Sequence, residues 1–401
     1  MGKIYLFNPD NDMALANGDA NYLPPRSARR MAMDLAFLPV WYANDGDAVL
    51  IPNSDVIYYW SKTLRGGIYH PEIKWITDKE LLSSQTLSPW GWNPALVKQM
   101  KLRGMLDNDL PNASLMASLR LLSGRQTAVE VLNQTKRILG DKCPLIGEAN
   151  ICLTEDEIAR IMDEYLSVIL KAPWSCSGKG LRRGQGIYAP PLSGWCARIL
   201  AQQGAVIVEP LYDKVRDFAM EFYASGDGSP LSFVGYSSFV TDANGAYEGN
   251  LLIADEDIEN ELSEYISHET LYSVRECLQH LISECVGTVY SGYIGVDMMI
   301  CHASKASQEC GYFLHPCVEI NLRMNMGVVA HILYERYVAL GCQGRFMVEY
   351  YSTPEELKKI HLQRIADYPL ELSADGRIIK GYQPLTPVGR ETQYIAWMMV
   401  S

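Results

Sequence analysis

A glycine-rich, basic segment between two short apolar runs is the feature that most limits how this sequence can fold. Residues 175–186 contain four glycines, three Lys or Arg residues and two serines. The segment follows the apolar run Ser167–Lys171 and precedes a second run, Ala205–Glu209. Glycine lets backbone N–H groups approach an anion closely, and nearby cations neutralise that anion. The composition therefore indicates a phosphate-binding loop, and the alternative is a solvated basic loop.

Two familiar phosphate-binding motifs are excluded. A Walker A loop needs a glycine where this chain has Pro173, and a Ser or Thr where it has Gly180. The dinucleotide-binding fingerprint needs a helix that opens directly from the loop, whereas Pro190 and Pro191 follow soon after it.

The charge balance argues against a polyanionic partner. The chain has 401 residues, with 35 Lys and Arg against 47 Asp and Glu, which gives a formal net charge of −12. Proteins that bind nucleic acid or anionic membranes non-specifically normally carry a basic surplus. We therefore expect neither partner. The sequence does not indicate an oligomeric state.

Targeting signals are not evident. Met1–Pro9 lacks the long apolar region of a secretory signal, and no apolar run approaches the length of a membrane span. Ten cysteines are scattered without a CxxC pair, which favours reduced, mostly buried thiols over zinc ligation or disulfides. We expect a cytoplasmic protein.

The apolar pattern predicts an α+β chain. Residues 1–112 contain a buried strand at Lys3–Phe7, an Asn/Asp-rich turn and a strand at Ala48–Ile51, which together indicate an α/β unit. A helix that opens with a capping box at Thr154 leads into the strand Ser167–Lys171. Further helices are expected at Leu115–Leu122, Thr127–Ile138 and Trp195–Ala201.

From residue 216 onward, alternating apolar and polar residues predict antiparallel strands with one buried face. Asn244-Gly245 is a hairpin signal between Leu231–Val240 and Ala246–Ile253. The elements expected after it are a helix at His268–Val286, strands at Tyr293–Cys301 and Tyr312–Ile320, a helix near Val328–Leu340, a short helix from Pro354, and strands at Arg377–Tyr382 and Thr392–Met398.

A second polar group lies on the predicted strand near residue 320. Glu319, Asn321 and Arg323 are spaced two apart, so their side chains project from one face of a strand. Asp297 lies on the preceding strand, and carboxylate and amide oxygens suit a hard cation such as Mg²⁺. Arg323 could neutralise a phosphate or a substrate carboxylate. The alternative is a solvated strand face.

Taken in order, these motifs resemble the ATP-grasp superfamily. The matching elements are a strand ending in Lys171, the glycine-rich loop, a strand ending in Glu209-Pro210, the Gly-Val-Asp strand at Asp297, and Glu-Ile-Asn-x-Arg at 319–323. The resemblance implies an ATP-grasp domain of two α+β subdomains at residues 113–345. The α/β unit at residues 1–112 lies where such enzymes carry a pre-ATP-grasp domain. Residues 346–401 are left as a C-terminal extension, which we expect to pack on the ATP-grasp domain or the N-terminal domain.

The resemblance also implies roles for individual residues. Lys171, Lys179, Arg182 and Arg323 would be the catalytic cations, with Lys171 on the α- and β-phosphates. Asp297, Glu319 and Asn321 would hold one or two Mg²⁺ ions, with Mn²⁺ as a substitute. Asp213 or Asp217 would hold the ribose or orient the substrate. The residues expected to contact ATP are Arg125, Lys171, Ser175, Ser177, Gly178, Gly180, Asp217 and the adenine-binding hinge of Glu209, Pro210 and Leu211.

The implied activity is an ADP-forming ligase that joins a small carboxylate to an amine or thiol through an acylphosphate. An ATP-grasp kinase and a non-catalytic nucleotide-binding protein are the alternatives, and the sequence does not identify the substrates.

Several polar residues are expected to act outside this chemistry. Cys176 lacks a neighbouring histidine and is not expected to be a nucleophile. His315 and His331 are expected to be core or supporting residues. The cluster Asn8, Asp10 and Asp12 lacks the glycine and distal glutamate of a calcium loop, which leaves a plain turn or a substrate-facing turn.

Overall fold

The structure is a computed structural model that describes residues 2–64, 67–77, 86–175, 180–241, 247–302 and 311–401. Within these ranges the strands form four sheets. The first is parallel and the other three are antiparallel.

The N-terminal unit is a parallel sheet with helices, as its sequence predicts. Its strands have the order β3-β2-β1-β4. Its elements are β1 (Lys3–Leu6), α1 (Asn11–Asn17), α2 (Arg26–Asp34), β2 (Ala48–Leu50), α3 (Asp55–Thr63), β3 (Lys74–Ile76), β4 (Thr86–Pro89) and α4 (Pro94–Leu102). The plain turn expected across Asn8–Asp12 is wrong in its second half, because the chain enters α1 at Asn11 and places Asp12 in a helix.

The second sheet contains residues 181–185 of the glycine-rich segment. Its order is β5-β8-β6-β7, and the capping box at Thr154 is present. The elements of this region are α5 (Ala113–Leu122), α6 (Arg125–Leu139), β5 (Asn150–Cys152), α7 (Glu155–Glu164), β6 (Ser167–Lys171), β7 (Leu181–Gln185), α8 (Leu192–Gln203) and β8 (Val206–Pro210). Residues 181–185 were expected in a loop and instead form β7, because β6 offers a free edge on which they pair, with Leu170 opposite Arg182.

The third sheet holds the residues of the second polar group. Its order is β10-β9-β13-β14, with α6 and α10 packed on it. The elements from this part of the chain are β9 (Lys214–Ala224), β10 (Ser232–Ser237), β11 (Phe239–Thr241), β12 (Tyr247–Leu252), α9 (Asp255–Ser263), α10 (His268–Val286), β13 (Gly292–His302) and β14 (Tyr312–Asn321).

The fourth sheet is completed by the C-terminal residues. Its order is β11-β12-β15-β18-β17-β16, so the last strand lies between β15 and β17. The remaining elements are α11 (Met326–Tyr337), β15 (Gly344–Tyr350), α12 (Pro354–Asp367), β16 (Glu371–Leu372), β17 (Ile378–Pro384) and β18 (Tyr394–Val400). The helix near residue 328 ends at Tyr337 rather than Leu340, because the chain turns there to pair Val338 with Ile378.

One predicted strand is divided between two sheets. The run Leu231–Val240 splits at Ser238 into β10, which pairs with β9, and β11, which pairs with β12. The Ser238 carbonyl accepts a hydrogen bond from the Leu251 N–H, so the chain stays bonded where it changes sheets. The hairpin residues Asn244 and Gly245 lie outside the described residues.

A shared apolar core joins the N-terminal unit to the fourth sheet. Phe37 and Trp41 belong to the same buried cluster as Val328 of α11 and Phe346 of β15. The Trp41 Nε1 also donates a hydrogen bond to the Leu385 carbonyl at 2.7 Å. The two ends of the chain therefore stabilise each other, and removing either would expose the core of the other.

Two sequence-based expectations about composition can be compared with the structure. The eight cysteines within the described ranges are all unpaired, and six of them are buried, which agrees with reduced thiols. Among the described helices, none combines the length and the apolar character needed to cross a bilayer.

Phe346 should be a major contributor to stability because its side chain is fully buried between α11 and the fourth sheet. Phe346→Ala is expected to lower the free energy of unfolding by about 3–5 kcal/mol, as for other large-to-small core substitutions. Urea denaturation measures this change. Leu340→Ala, at a side chain that is 97% exposed, is the control and should change stability by less than about 0.5 kcal/mol. Equal effects of the two substitutions would contradict the core assignment.

Candidate functional site

A cavity of about 1210 Å³ gathers the predicted site residues. It lies between the second, third and fourth sheets, with the N-terminal unit at one side. The predicted residues that line it are Arg125, Lys171, Ser175, Arg182, Glu209, Pro210, Leu211, Asp217, Asp297, Glu319, Asn321 and Arg323. Residues separated by nearly 200 positions in sequence therefore face one space.

Gly180 is a described residue of the predicted loop that does not line this cavity. Gly180 lines an adjoining recess together with Ser175, and a Cβ at Gly180 would collide with the Ser175 side chain, so the close approach of the two strands of the loop requires glycine there. Ser177, Gly178 and Lys179 lie outside the described residues, as does Cys176.

Paired carboxylates form the acidic side of the cavity. Asp297 on β13 lies directly opposite Glu319 on β14, and Gly295 lies opposite Asn321. Strand alternation then places all these side chains on one face of the sheet. Burial, followed by the charges of Glu319 and Glu221, raises the pKa of Asp297 to about 8. Negative charge at this point is therefore poorly compensated by the protein itself.

This donor set fits a divalent cation. Mg²⁺ prefers carboxylate and amide oxygens, and a cation between Asp297 and Glu319 would offset the repulsion between them. Within the described ranges, no group of three or more His, Cys, Asp or Glu side chains is arranged to hold a metal. Protein ligation would therefore rest on Asp297, Glu319 and Asn321, and the other ligands would be phosphate or water oxygens. The Asn321 Oδ1 accepts a hydrogen bond from Arg323 at 2.8 Å, so this amide would have to turn to ligate.

Buried cations face the carboxylates from the second sheet and from α6. The Lys171 Nζ lies 2.7 Å from the Glu209 carboxylate, and both side chains are almost fully buried. Arg125 donates to Glu319 at 2.8 Å and to the Ser175 hydroxyl at 2.8 Å. The Arg125–Glu319 ion pair therefore joins the basic side of the cavity to the third sheet, whereas the Lys171–Glu209 pair lies within the second sheet.

Only some backbone groups of the hinge predicted at Glu209–Leu211 are available to hydrogen-bond an adenine edge. The Leu211 N–H donates to the Ser167 carbonyl at 2.9 Å, and Pro210 has no N–H. Along two antiparallel strands, residue pairs that exchange backbone hydrogen bonds alternate with pairs that do not. The backbone N–H and carbonyl of Glu209 therefore point toward Ile169 of β6, whereas the Pro210 carbonyl points away from β6. The backbone groups left for an adenine edge are therefore the Pro210 carbonyl and, one residue beyond the expected hinge, the Tyr212 N–H.

The two aspartates that follow the hinge lie in different surroundings. Asp217 lines the cavity and bonds Lys214. Asp213 is exposed and lies 3.2 Å from His302, outside the cavity lining. Of these two candidates, Asp217 is the one in a position to contact a bound molecule. Arg182 lies on β7 opposite Leu170, on the face of the second sheet that packs against Trp195, and its guanidinium carbon is 5.4 Å from the centroid of that ring. The residue borders both the cavity and the adjoining recess.

Asp12 is a site residue that the sequence pattern left undecided. Its carboxylate binds Arg323 in a two-point ion pair, with N···O distances of 2.7 and 2.9 Å. This pair joins α1 of the N-terminal unit to the end of β14. It also fixes the guanidinium beside Asn321, and the Arg323 Nη1 donates to the Met324 carbonyl at 3.2 Å, so a bound anion would have to share these donors. The Asn/Asp-rich cluster after β1 was the available sequence signal.

Glu221 is a site residue that sequence reasoning missed. It lies on β9 beside Gly295, is almost fully buried, and lines the cavity. Its carboxylate accepts hydrogen bonds from Asn325 at 2.8 Å and Ser237 at 3.1 Å, and burial raises its pKa to about 7. A Cβ at Gly327 would collide with this carboxylate, so glycine is required there. The sequence carries no local signal for this role, because alternation of polar and apolar residues does not show that β9 lies inside a sheet.

The two histidines, His315 and His331, are packed against other side chains near the site. His315 is fully buried against Tyr212, and neither ring nitrogen has a hydrogen-bond partner among the described residues. Burial, with the nearby Lys171 and Lys136, lowers the pKa of His315 to about 3. Burial opposes protonation of His331, but the hydrogen bond and charge of Asp255 outweigh it and raise its pKa. Neither residue lines the cavity.

Comparison with known proteins identifies the fold. No family model matches the chain, and no curated protein matches it in sequence. A Campylobacter jejuni biotin carboxylase in complex with β-γ-ATP has a TM-score of 0.50 and 11% identity, covering 100% of this chain and 87% of that chain. A Rhizobium etli pyruvate carboxylase with acetyl coenzyme A has a TM-score of 0.50 and 12% identity, covering 100% of this chain but 36% of that one.

An N5-carboxyaminoimidazole synthetase from Staphylococcus aureus in complex with ADP has a TM-score of 0.44 and 12% identity, over 98% of this chain and 92% of that chain. The two matches at 0.50 carry the comparison. The chain has the ATP-grasp fold, as its motif order predicts.

His315 should make the protein sensitive to acid. Its folded pKa, about 3, lies below the ordinary value of 6.5, so the unfolded state binds the extra proton between these values and stability falls as the pH drops below 6.5. The glutamine of His315→Gln cannot be protonated in this pH range. Between pH 6 and 4 the free energy of unfolding of this variant is therefore expected to fall by about 1.4 kcal/mol less per pH unit than that of the wild type. Urea denaturation at several pH values measures the slope. His268→Gln, at an exposed position, should keep the wild-type slope, and an unchanged slope in His315→Gln would contradict a buried neutral imidazole.

Proposed function

We propose that the protein is an ATP- and Mg²⁺-dependent ligase that joins a carboxylate to an amine (or thiol), releasing ADP and phosphate. The observation that carries the proposal is the pairing of Asp297 with Glu319 in a cavity whose other walls supply the buried cations Lys171 and Arg125. Phosphoryl transfer needs this combination, because its catalysis depends on positioning and on offsetting phosphate charge.

The ion pairs of the cavity suggest how the residues would exchange partners. Arg125 and Glu319 neutralise each other in this structure. A bound phosphate would give Arg125 a new anion and would leave Glu319 free for a cation. Lys171 would contact the phosphates while Glu209 holds its ammonium group in place. The Pro210 carbonyl and the Tyr212 N–H would bind the adenine edge.

The acid substrate would be held beside Arg323. The Asp12 carboxylate fixes one side of this guanidinium, which would orient a substrate carboxylate toward the γ-phosphate. That carboxylate would take the phosphoryl group to give ADP and an acylphosphate, and the amine would then displace phosphate from the acyl carbon. Mg²⁺ bound to Asp297 and Glu319 would supply Lewis-acid charge for the phosphate oxygens. Residues 175–186 would exclude water, which otherwise hydrolyses an acylphosphate.

Lys171→Ala and Glu319→Gln are each expected to lower ATP turnover at least about a hundredfold, because each removes a charge that stabilises phosphoryl transfer. Steady-state ADP release measures the effect, and circular dichroism checks that the fold is retained. Lys142→Ala and Glu371→Gln make the same chemical changes at exposed positions outside the cavity and should leave turnover unchanged. Near-normal turnover in both cavity variants would refute the site.

The reaction itself is tested by following ADP and phosphate release from ATP with pools of small carboxylates and amines. The ligase predicts that both products appear together, only with Mg²⁺ and only with a particular pool. ADP without free phosphate would instead identify a kinase. ATP binding without turnover under every condition would favour a non-catalytic nucleotide-binding protein.

A further inference from the structure

One end of the cavity is apolar and lies away from the phosphate-binding residues. We call it the apolar end and define it by Met31 of α2, Met326 of α11, Val348 and Tyr350 of β15, and Tyr394 of β18. Three separate parts of the chain supply its wall: the N-terminal unit, the helix after the Arg323 segment, and the C-terminal strands. None of these residues has a role in the nucleotide chemistry proposed above.

The apolar end is a built surface and not a set of scattered exposed side chains. Met31, Met326, Val348 and Tyr394 each pack on one side against the core shared by the N-terminal unit and the fourth sheet, and each remains partly open to the cavity. Tyr350 stacks obliquely on Tyr394, with ring centroids 4.8 Å apart. Concave apolar surface next to a few polar groups is typical of a small-molecule pocket.

A carboxylate lies between the apolar end and the phosphate-binding residues. Glu221 hydrogen-bonds two neutral groups, the Asn325 amide and the Ser237 hydroxyl, and it forms no ion pair in the part of the chain that the structure describes. The charges of His331 and Arg323 act on it only from a greater distance. Asn325 is the N-terminal cap of α11, and the next residue, Met326, belongs to the apolar end. A buried carboxylate with neutral partners still favours a cation, and a ligand ammonium group would supply one.

The strand register gives the length of this compartment. Asn250 of β12 lies opposite Phe346 of β15, and Asn250 also lines the cavity. Val348 and Tyr350 follow Phe346 on the same face of β15, so Tyr350 lies roughly 13 Å further along the strand. A ligand that reaches from the polar residues to Tyr350 therefore needs a sizeable body, larger than that of ammonia or a short alkylamine.

We propose that the acceptor substrate is a primary amine with an aromatic or similarly apolar body, with its ammonium group on Glu221 and its body against Val348, Tyr350 and Met31. The inference rests on the proposed function, since it specifies which amine the ligase would use. It assigns a substrate-binding role to the C-terminal strands and to Glu221.

The test uses three probes that separate charge from body. Tryptamine carries both the ammonium group and an aromatic ring, ethylamine carries the ammonium alone, and indole-3-acetate carries the ring with the opposite charge. Titration calorimetry of the whole protein, with and without Mg²⁺ and ADP, gives the affinity of each. Tryptamine is expected to bind at least about tenfold more tightly than either of the others, a difference of about 1.4 kcal/mol.

Matched variants locate the binding. Tyr350→Ala should weaken tryptamine binding at least about fivefold through loss of ring contact, whereas Tyr350→Phe should retain it. Tyr58→Ala is the control, because Tyr58 is similarly exposed (62% against 58%) and also contacts a tyrosine ring, but lies outside the cavity. Glu221→Gln should weaken tryptamine at least about tenfold and leave indole-3-acetate unaffected.

The outcomes distinguish this inference from the proposed function. Equal binding of tryptamine and ethylamine, preference for indole-3-acetate, or no effect of Tyr350→Ala would overturn the inference. A thermal shift with ATP and Mg²⁺ on the same wild-type protein tests nucleotide binding separately. ATP binding without tryptamine binding refutes the amine compartment alone, whereas tryptamine binding without ATP binding supports the compartment and refutes the ligase.

Discussion

The charge balance between Asp297, Glu319 and the buried cations around them is the constraint on which the site depends. Two carboxylates face each other across neighbouring strands, and burial together with their repulsion disfavours ionisation of Asp297. Arg125 offsets part of that charge through Glu319, and Lys171 is already paired with Glu209. The cations of the protein therefore do not fully neutralise the pair Asp297 and Glu319. Such a pair is suited to bind a divalent cation together with a polyphosphate.

The rest of the chain keeps this arrangement in place. Asp12 reaches from the N-terminal unit to Arg323, so the end of β14 is fixed by a residue more than 300 positions earlier in the sequence. The core around Trp41 and Phe346 joins the same unit to the C-terminal strands. As a result, the cavity has a polar side built around the third sheet and an apolar end built from the N-terminal unit, α11 and the C-terminal strands. In the ligase that we propose, the polar side would bind the nucleotide and the apolar end would bind the acceptor.

The sequence predicts those parts of the fold that have a local signal. Strands β6, β13 and β14 are short apolar runs with polar residues at alternating or terminal positions, and this pattern places Lys171, Asp297 and Glu319 correctly on strands. The order of these motifs was sufficient to predict the ATP-grasp fold, although no single motif was specific. The capping box at Thr154 is likewise a local signal that the structure confirms.

The errors share one physical cause, which is that they depend on partners distant in sequence. The strand β7 forms because β6 provides an edge, and the division at Ser238 depends on which sheet accepts each half. Alternation from residue 216 onward predicts strands with one buried face, and it does not show that β9 lies inside a sheet whose other face, with Glu221, borders the cavity. The Leu211 N–H is unavailable as a hinge donor only because Ser167 lies beside it.

The central claim is that Asp297 and Glu319 bind a divalent cation on the phosphates of ATP. A crystal structure with a non-hydrolysable ATP analogue and Mn²⁺, using the anomalous signal of the manganese, tests it most directly. The account predicts an anomalous peak between the two carboxylates, with the phosphates on the Lys171 side and the adenine at the Pro210 carbonyl. A nucleotide bound elsewhere, or a cavity that holds the analogue with the metal away from both carboxylates, would contradict it.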